Sequence, residues 1–185
     1  NNTTNTTDWQ DAPISRHKLL HIVLDGIGSP RQGLSCGILT YFALGRCLRE
    51  IHLAGCEQVQ DWEVQALAMT CGKTLTCFQM RACTIGNPSL EALAAHCKVL
   101  AECDVSACFQ IDDRGILALC CESSSSSSQT TTTLPSSLKA LKVASLPNLT
   151  NLSVTAMTNL KSLHVLDIHD CPNVTASALC STILS

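Results

Sequence analysis

Thirteen cysteines and six histidines in 185 residues are the side chains here best suited to chemistry. A thiolate is a nucleophile, and thiolates with imidazoles are the usual ligands of zinc. Their spacing argues against most of that chemistry. No C-x-x-C pair occurs, and the cysteines recur at long intervals instead of clustering. His96, Cys97, Cys103 and Cys108 supply residue types for a tetrahedral site, yet two of these cysteines fall at core positions of a repeat that emerges below. Cys71-Gly72-Lys73-Thr74 echoes the tail of a phosphate-binding loop without its upstream glycine or preceding strand. His52 and Cys77 have the types of a base–nucleophile pair with no supporting context, and no paired carboxylates stand out as a general acid and base. The expectation is no catalytic residue, no metal and no cofactor.

Because thirteen is odd, complete pairing into disulfides within the chain is impossible. Two uses of cysteine remain: an oxidised scaffold, or a reduced protein in which Cys is a small hydrophobe. Six Asn-x-Ser/Thr triplets, at Asn1, Asn2, Asn5, Asn148, Asn151 and Asn173, would suit a secreted chain, although three lie in a Thr/Asn-rich tail where such triplets arise readily.

The elements that position these residues come from an internal repeat. Leu48–Thr74, Leu75–Val99 and Leu100–Cys121 open as LREIHLAGC, LTCFQMRAC and LAECDVSAC, apolar at the first, fourth and sixth positions with Cys at the ninth. Asp61, Asn87 and Asp113 follow at intervals of 26 residues, as do Val64, Leu90 and Ile116. The first half of each unit alternates with strand period. The second half switches to helical spacing, as in Val64, Leu67 and Cys71. Asp61, Asn87 and Asp113 are placed to cap these helices, and Pro88 takes a favoured first-turn position. An earlier unit begins at Leu19, with Ile22 and Leu24 inward and a helix over 38–47. Residues 122–133, ESSSSSSQTTTT, bury almost nothing and read as a flexible insertion. After them an 11-residue spacing (Leu138, Leu149, Leu160) predicts shorter units without room for proper helices, before Leu163, Leu166, Ile168, Cys171 and Val174 restore the earlier pattern. Stacked units of this kind predict an α/β fold: a parallel sheet on one side and helices on the other. Narrow slots between layers account for a composition that is 45% hydrophobic but only 3% aromatic.

This pattern resembles the cysteine-containing leucine-rich repeats, most closely the repeat region of F-box/leucine-rich-repeat proteins. The resemblance covers about residues 19–121 and 163–179. It implies an open, curved solenoid with helices on the convex side, and structural roles for Cys56, Cys71, Cys83, Cys97, Cys108 and Cys171, with Cys120 or Cys121 near the third helix end. It also implies reduced thiols and a cytoplasmic or nuclear location. The expected organisation is a polar disordered tail over 1–16, cysteine-containing repeats over 17–121, the Ser/Thr-rich insertion over 122–133, and shorter degenerate repeats returning to the cysteine-containing type over 134–185.

A net charge of −3 gives no basic footprint for nucleic acid, and no apolar run approaches the roughly 18 residues of a membrane helix. The polar N-terminus does not read as a signal peptide. The better functional surface is the strand face turned away from the helices. The residues expected to meet a partner there are His21, Asp25, Glu50, His52, Gln79, Arg81, Glu102 and Asp104, a mixed and somewhat acidic set. Trp62, at the start of a helix, is a further contact candidate. The expected function is non-enzymatic: a protein-binding adaptor or scaffold, with substrate recognition in a ubiquitin ligase as its specific form. A structural subunit of a large eukaryotic assembly is the alternative, and an extracellular or immune-receptor repeat domain a third reading. The partner is expected to be another protein on the concave face, with the chain part of a hetero-complex or of a longer chain.

Overall fold

A computed structural model describes residues 20–25, 37, 39–40, 47–121 and 137–183, with Asp25, Thr182 and Ile183 as backbone only. The expected tail over 1–16, the insertion over 122–133 and most of the helix expected over 38–47 lie outside the described residues. The alternating stretches form six strands: β1 (His21–Asp25), β2 (Glu50–Ala54), β3 (Cys77–Arg81), β4 (Glu102–Asp104), β5 (Ala140–Lys142) and β6 (Val165–Asp167). The segments of helical period form α1 (Asp61–Cys71), α2 (Asn87–His96), α3 (Asp113–Cys120), α4 (Asn151–Met157) and α5 (Ala176–Ile183). Every strand pair is parallel, and the strands lie side by side in chain order as one open sheet. Each helix packs against the next in the same order.

Parallel pairing at fixed register turns the repeat into rows that cross the sheet. Ile22, Ile51, Phe78, Cys103, Leu141 and Leu166 make one row, and Leu24, Leu53 and Met80 another. These rows and the helix residues Val64, Leu67, Leu90, Leu93, Ile116 and Leu119 form one continuous core. Phe78 is its large member, fully buried, and the neighbour across the row is the small Cys103. Large beside small keeps the layer spacing constant.

The region after Leu138 departs from the 11-residue expectation. Ala140 pairs with Val165, 25 residues on, matching the interval from Cys77 to Glu102. Between β5 and β6 a helix does form, the seven residues of α4, with Val154 and Met157 buried. The 11-residue spacing arises because leucines of the strand, loop and helix end all recur within one 25-residue unit.

A second departure concerns helix capping. The N-cap positions are Gln60, Gly86, Asp112 and Thr150, one residue before the expected Asp61, Asn87 and Asp113. Those expected caps instead serve the neighbouring unit. Asp61 Oδ1 accepts from Gly86 N (2.8 Å) and Ser89 Oγ (2.5 Å). Asn87 Oδ1 accepts from Asp112 N (3.1 Å) and Gly115 N (3.2 Å). Asp113 accepts from Thr150 N (2.9 Å), Thr150 Oγ1 (2.6 Å) and Ser153 Oγ (2.5 Å). Asn151 Oδ1 accepts from Thr175 N (2.9 Å). Helix N-termini carry N–H groups without intrahelical partners, so each unit satisfies the next.

The ninth-position cysteines also reach between units. Cys56, Cys83, Cys108 and Cys171 direct Sγ at the carbonyls of Leu24, Leu53, Met80 and Val143 in the preceding unit, with Cys108 closest at 2.9 Å. The residue before each of these cysteines is left-handed: Gly55 (φ 67°), Ala82 (52°), Ala107 (59°) and Asp170 (55°). That conformation costs a non-glycine residue about 1–2 kcal/mol. It is held because the amides of Gly55, Ala82 and Ala107 donate to carbonyls of the following unit, Arg81, Ser106 and Ala144 (2.8–2.9 Å).

Three substitutions test this packing. A Cβ at Gly115 would lie 2.6 Å from Asn87 Oδ1 and 2.9 Å from Leu90 Cδ1. In an open helix Gly→Ala stabilises by about 1 kcal/mol; here Gly115→Ala is expected to destabilise by about 1–3 kcal/mol in urea denaturation. A gain in midpoint would contradict the bracket. Cys103→Ser places a hydroxyl in a fully buried apolar row and should cost about 1–3 kcal/mol. Cys108→Ser should cost clearly less, because its hydroxyl finds the Met80 carbonyl, and equal losses would count against the thiol contact.

Candidate functional site

Alternation that sends Ile51 and Leu53 towards the helices sends Glu50, His52 and Ala54 to the opposite face. Register then aligns three rows: His21, Glu50, Cys77, Glu102, Ala140 and Val165; Val23, His52, Gln79, Asp104, Lys142 and Asp167; and Asp25, Ala54 and Arg81. All eight residues expected to meet a partner therefore fall on one face. For Asp25 this placement rests on the backbone alone.

Their surroundings divide them into two groups. Towards β1 and β2 the side chains stay partly exposed. His21 Nδ1 lies 2.7 Å from Glu50 Oε2, and His52 Nε2 lies 3.9 Å from the same oxygen. Cys77 Sγ is 3.7 Å from His52 Nε2 and 3.7 Å from Glu102 Oε2, and Gln79 Nε2 donates to it at 3.5 Å. Glu50, His52, Thr76, Cys77, Ala101 and Glu102 surround a shallow concavity of about 260 Å³. Towards β4 and β5 the face is closed. Asp104 has 5% side-chain exposure, lies between Arg81 Nε (4.0 Å) and Lys142 Nζ (3.8 Å), and accepts from Ser106 N (3.1 Å). Asp104 thus braces three strands, and its neighbours Arg81 and Lys142 present the accessible charge.

Lys142, Asp167 and His169 belong to the same face and escaped the sequence reading. Their rows pass through the stretch whose register the 11-residue spacing obscured; the interval from Leu138 to Leu163 would have placed them. His169 pairs with Asp167 (Nδ1–Oδ1, 2.5 Å), which holds the Asp167 carboxyl below its ordinary range. Trp62 is half exposed, at 49%, near Gly37 on the helix side and away from these rows.

Chemically, the His52–Cys77 contact does not activate the thiol. Burial first, and then the Glu102 carboxylate, push Cys77 up to about 11, so it stands as S–H at neutral pH. Glu50 approaches the same imidazole nitrogen that faces Cys77, and among the described residues no carboxylate orients the ring from its other nitrogen. Among the described residues no group of three His, Cys, Asp or Glu side chains is arranged to hold a metal ion. No described helix is long and apolar enough to cross a membrane.

Several other buried thiols shift in the same direction. Burial raises Cys108 to about 11 and Cys83, Cys97 and Cys120 to about 12. An unfolded thiol near 9.0 loses its proton first. Above that pH the unfolded chain therefore binds fewer protons than the folded one. Stability is full below about pH 9 and is lost as pH climbs towards 12, by about 1.4 kcal/mol per pH unit for each fully buried thiol. Urea midpoints at pH 6.5, 7.5 and 10 should stay level across the first interval and fall across the second. A level third point would show that the thiols are not held in the apolar layers. No protein-family model matches the chain, and no curated protein matches it at a significant level of similarity.

Proposed function

We propose that the chain is a protein-binding module built from leucine-rich repeats, an adaptor or scaffold whose specific role is substrate recognition in a ubiquitin ligase. The open parallel sheet in chain order supports the leucine-rich-repeat reading, together with the cysteines that bracket its units and the left-handed residue before each. The single observation that carries the binding role is the division of the sheet into two faces. One is sealed by helices; the other has no helix on it among the described residues and bears histidines, carboxylates, Gln79, Arg81 and Lys142 in ordered rows. A flat array of polar side chains on a rigid support binds by many small contacts and requires no cofactor. The partner is another protein, and the setting is cytoplasmic or nuclear. Abundant neutral, buried thiols favour such a reduced environment over an extracellular one.

A face-blocking variant tests the reading. Ala54→Arg with Gln79→Arg places two long side chains at the centre of the face, at half-buried positions that contribute little to the core. Affinity purification from the native source should recover partners with the unmodified chain and lose them with this variant. Lys73→Glu, an exposed change away from the strand rows, should retain them. Partners that survive the blocked face would overturn the proposal. An adaptor of a ubiquitin ligase among the lost partners identifies the ligase role, whereas a fixed set of subunits in equal ratio identifies a structural subunit of an assembly.

A further inference from the structure

We propose that the row Glu50–Cys77–Glu102 is a seat for the guanidinium group of an arginine side chain on the partner protein; this rests on reading the helix-free face as a protein-binding surface. The row crosses three adjacent strands, with Glu50 on β2, Cys77 on β3 and Glu102 on β4. Its side chains, with His52, Thr76 and Ala101, line the 260 Å³ concavity.

Charge decides the class of occupant. No lysine or arginine lines the concavity. Glu50 has only the imidazoles of His21 and His52 as ion-pair neighbours, and Glu102 has no ion pair among the described residues. The third acid of the face is different: Asp104 already has Arg81 and Lys142 beside it. Among the described residues the face therefore gives the acid it buries two permanent cations, and leaves Glu50 with imidazoles alone and Glu102 with no ion pair around this hollow. A cation from outside completes that arrangement.

Shape decides between cations. Strands separated by one neighbour stand about 10 Å apart, so the two carboxylates approach an occupant from opposite sides. A guanidinium is planar and donates along both edges at once, whereas an ammonium is a compact point charge. The floor suits a flat group: Cys77 is 7% exposed and presents a neutral thiol where a charged or branched side chain would fill the hollow. Thr76 and Ala101 are small residues at the end where the strands begin, which leaves that side open to an incoming side chain.

The test uses ethylguanidinium as the probe, titrated into the ¹⁵N-labelled chain, with ethylammonium and acetate as comparators. Ethylguanidinium should give saturable shifts at the amides of Thr76, Cys77, Ala101 and Glu102 and bind more tightly than ethylammonium, while acetate shifts none of them. Glu50→Gln with Glu102→Gln should weaken the binding roughly tenfold, and Glu57→Gln, an exposed acid outside the row, should leave it unchanged. Absence of saturable shifts at these amides, or binding indifferent to the double substitution, overturns the seat. The broader reading fails separately. Partners lost with Ala54→Arg and Gln79→Arg but retained with Glu50→Gln and Glu102→Gln remove the arginine seat and keep the face. Partners retained with both remove both.

Discussion

The contact on which the rest of the structure depends is the bracket from one helix start to the next. A parallel sheet has no hairpin turns to fix its register, so something else must set how far each strand advances on its neighbour. Here Asp61, Asn87, Asp113 and Asn151 each accept hydrogen bonds from the beginning of the following helix. Ser89 and Ser153 are completely buried, and their hydroxyls donate to Asp61 and Asp113. A shift of a single residue would strand a buried hydroxyl and several amides, each at a cost of about 1–3 kcal/mol. Burial works against the charged form of Asp113, but the bonds from Ser153 and Thr150 outweigh it and hold its carboxyl below the ordinary range. The helix ends are equally tight, since a Cβ on Gly72 would meet the carbonyls of Ala68 at 2.4 Å and His96 at 2.5 Å. Register, once fixed at the helices, determines which residues meet in every row of the sheet.

Much of this was legible in the residues, because repetition multiplies a weak local signal. Ile51 and Leu53 alone are a poor argument for a strand; Phe78 with Met80 and Cys103 with Val105 at the same place make it a strong one. The inward rows, the helices of the units up to Cys121 and the outward position of the eight face residues followed from that pattern; the helix Asn151–Met157 did not, because the 11-residue spacing hid its unit. What the pattern could not give was direction between units. Asp61 and Asn87 sit where a helix cap belongs, and sequence spacing cannot separate capping one's own helix from capping a neighbour 25 residues away. In the same way, alternation placed Asp104 outward with Glu102, but it could not reveal that Arg81 and Lys142, from strands on either side, would close over one and not the other.

The cysteines illustrate how one residue type serves several positions for related reasons. At the ninth position the thiol is small enough to sit beneath a left-handed turn and polar enough to meet a strand carbonyl, as Cys108 does with Met80. In the inward row Cys103 is volume compensation for Phe78. At the helix ends Cys71 and Cys97 fill closely spaced layers where a larger side chain would separate them. None of these uses requires a thiolate, and burial opposes one at Cys83, Cys97, Cys103 and Cys108. Leu146 takes the ninth position of the fifth unit, and there the Cys108 amide already donates to the Val105 carbonyl (3.2 Å), so a thiol would add little.

The same economy of groups explains why the polar face is uneven. Where units are joined by the regular 25- or 27-residue interval, as from β2 to β4, side chains in a row stand in register and like charges share a row, as Glu50 and Glu102 do on either side of Cys77. Where the chain makes its long connection between β4 and β5, Lys142 enters the row and provides the cation that Asp104 needs to be buried. A carboxylate enclosed without such a partner would return to water or take up a proton. Among the described residues Glu50 meets only the imidazoles of His21 and His52 and Glu102 has no ion pair, and both remain at the rim of the hollow. The arrangement of acids therefore follows from which neighbours the repeat supplies, and the part of the face able to accept a new positive charge is the part where the repeat supplied none.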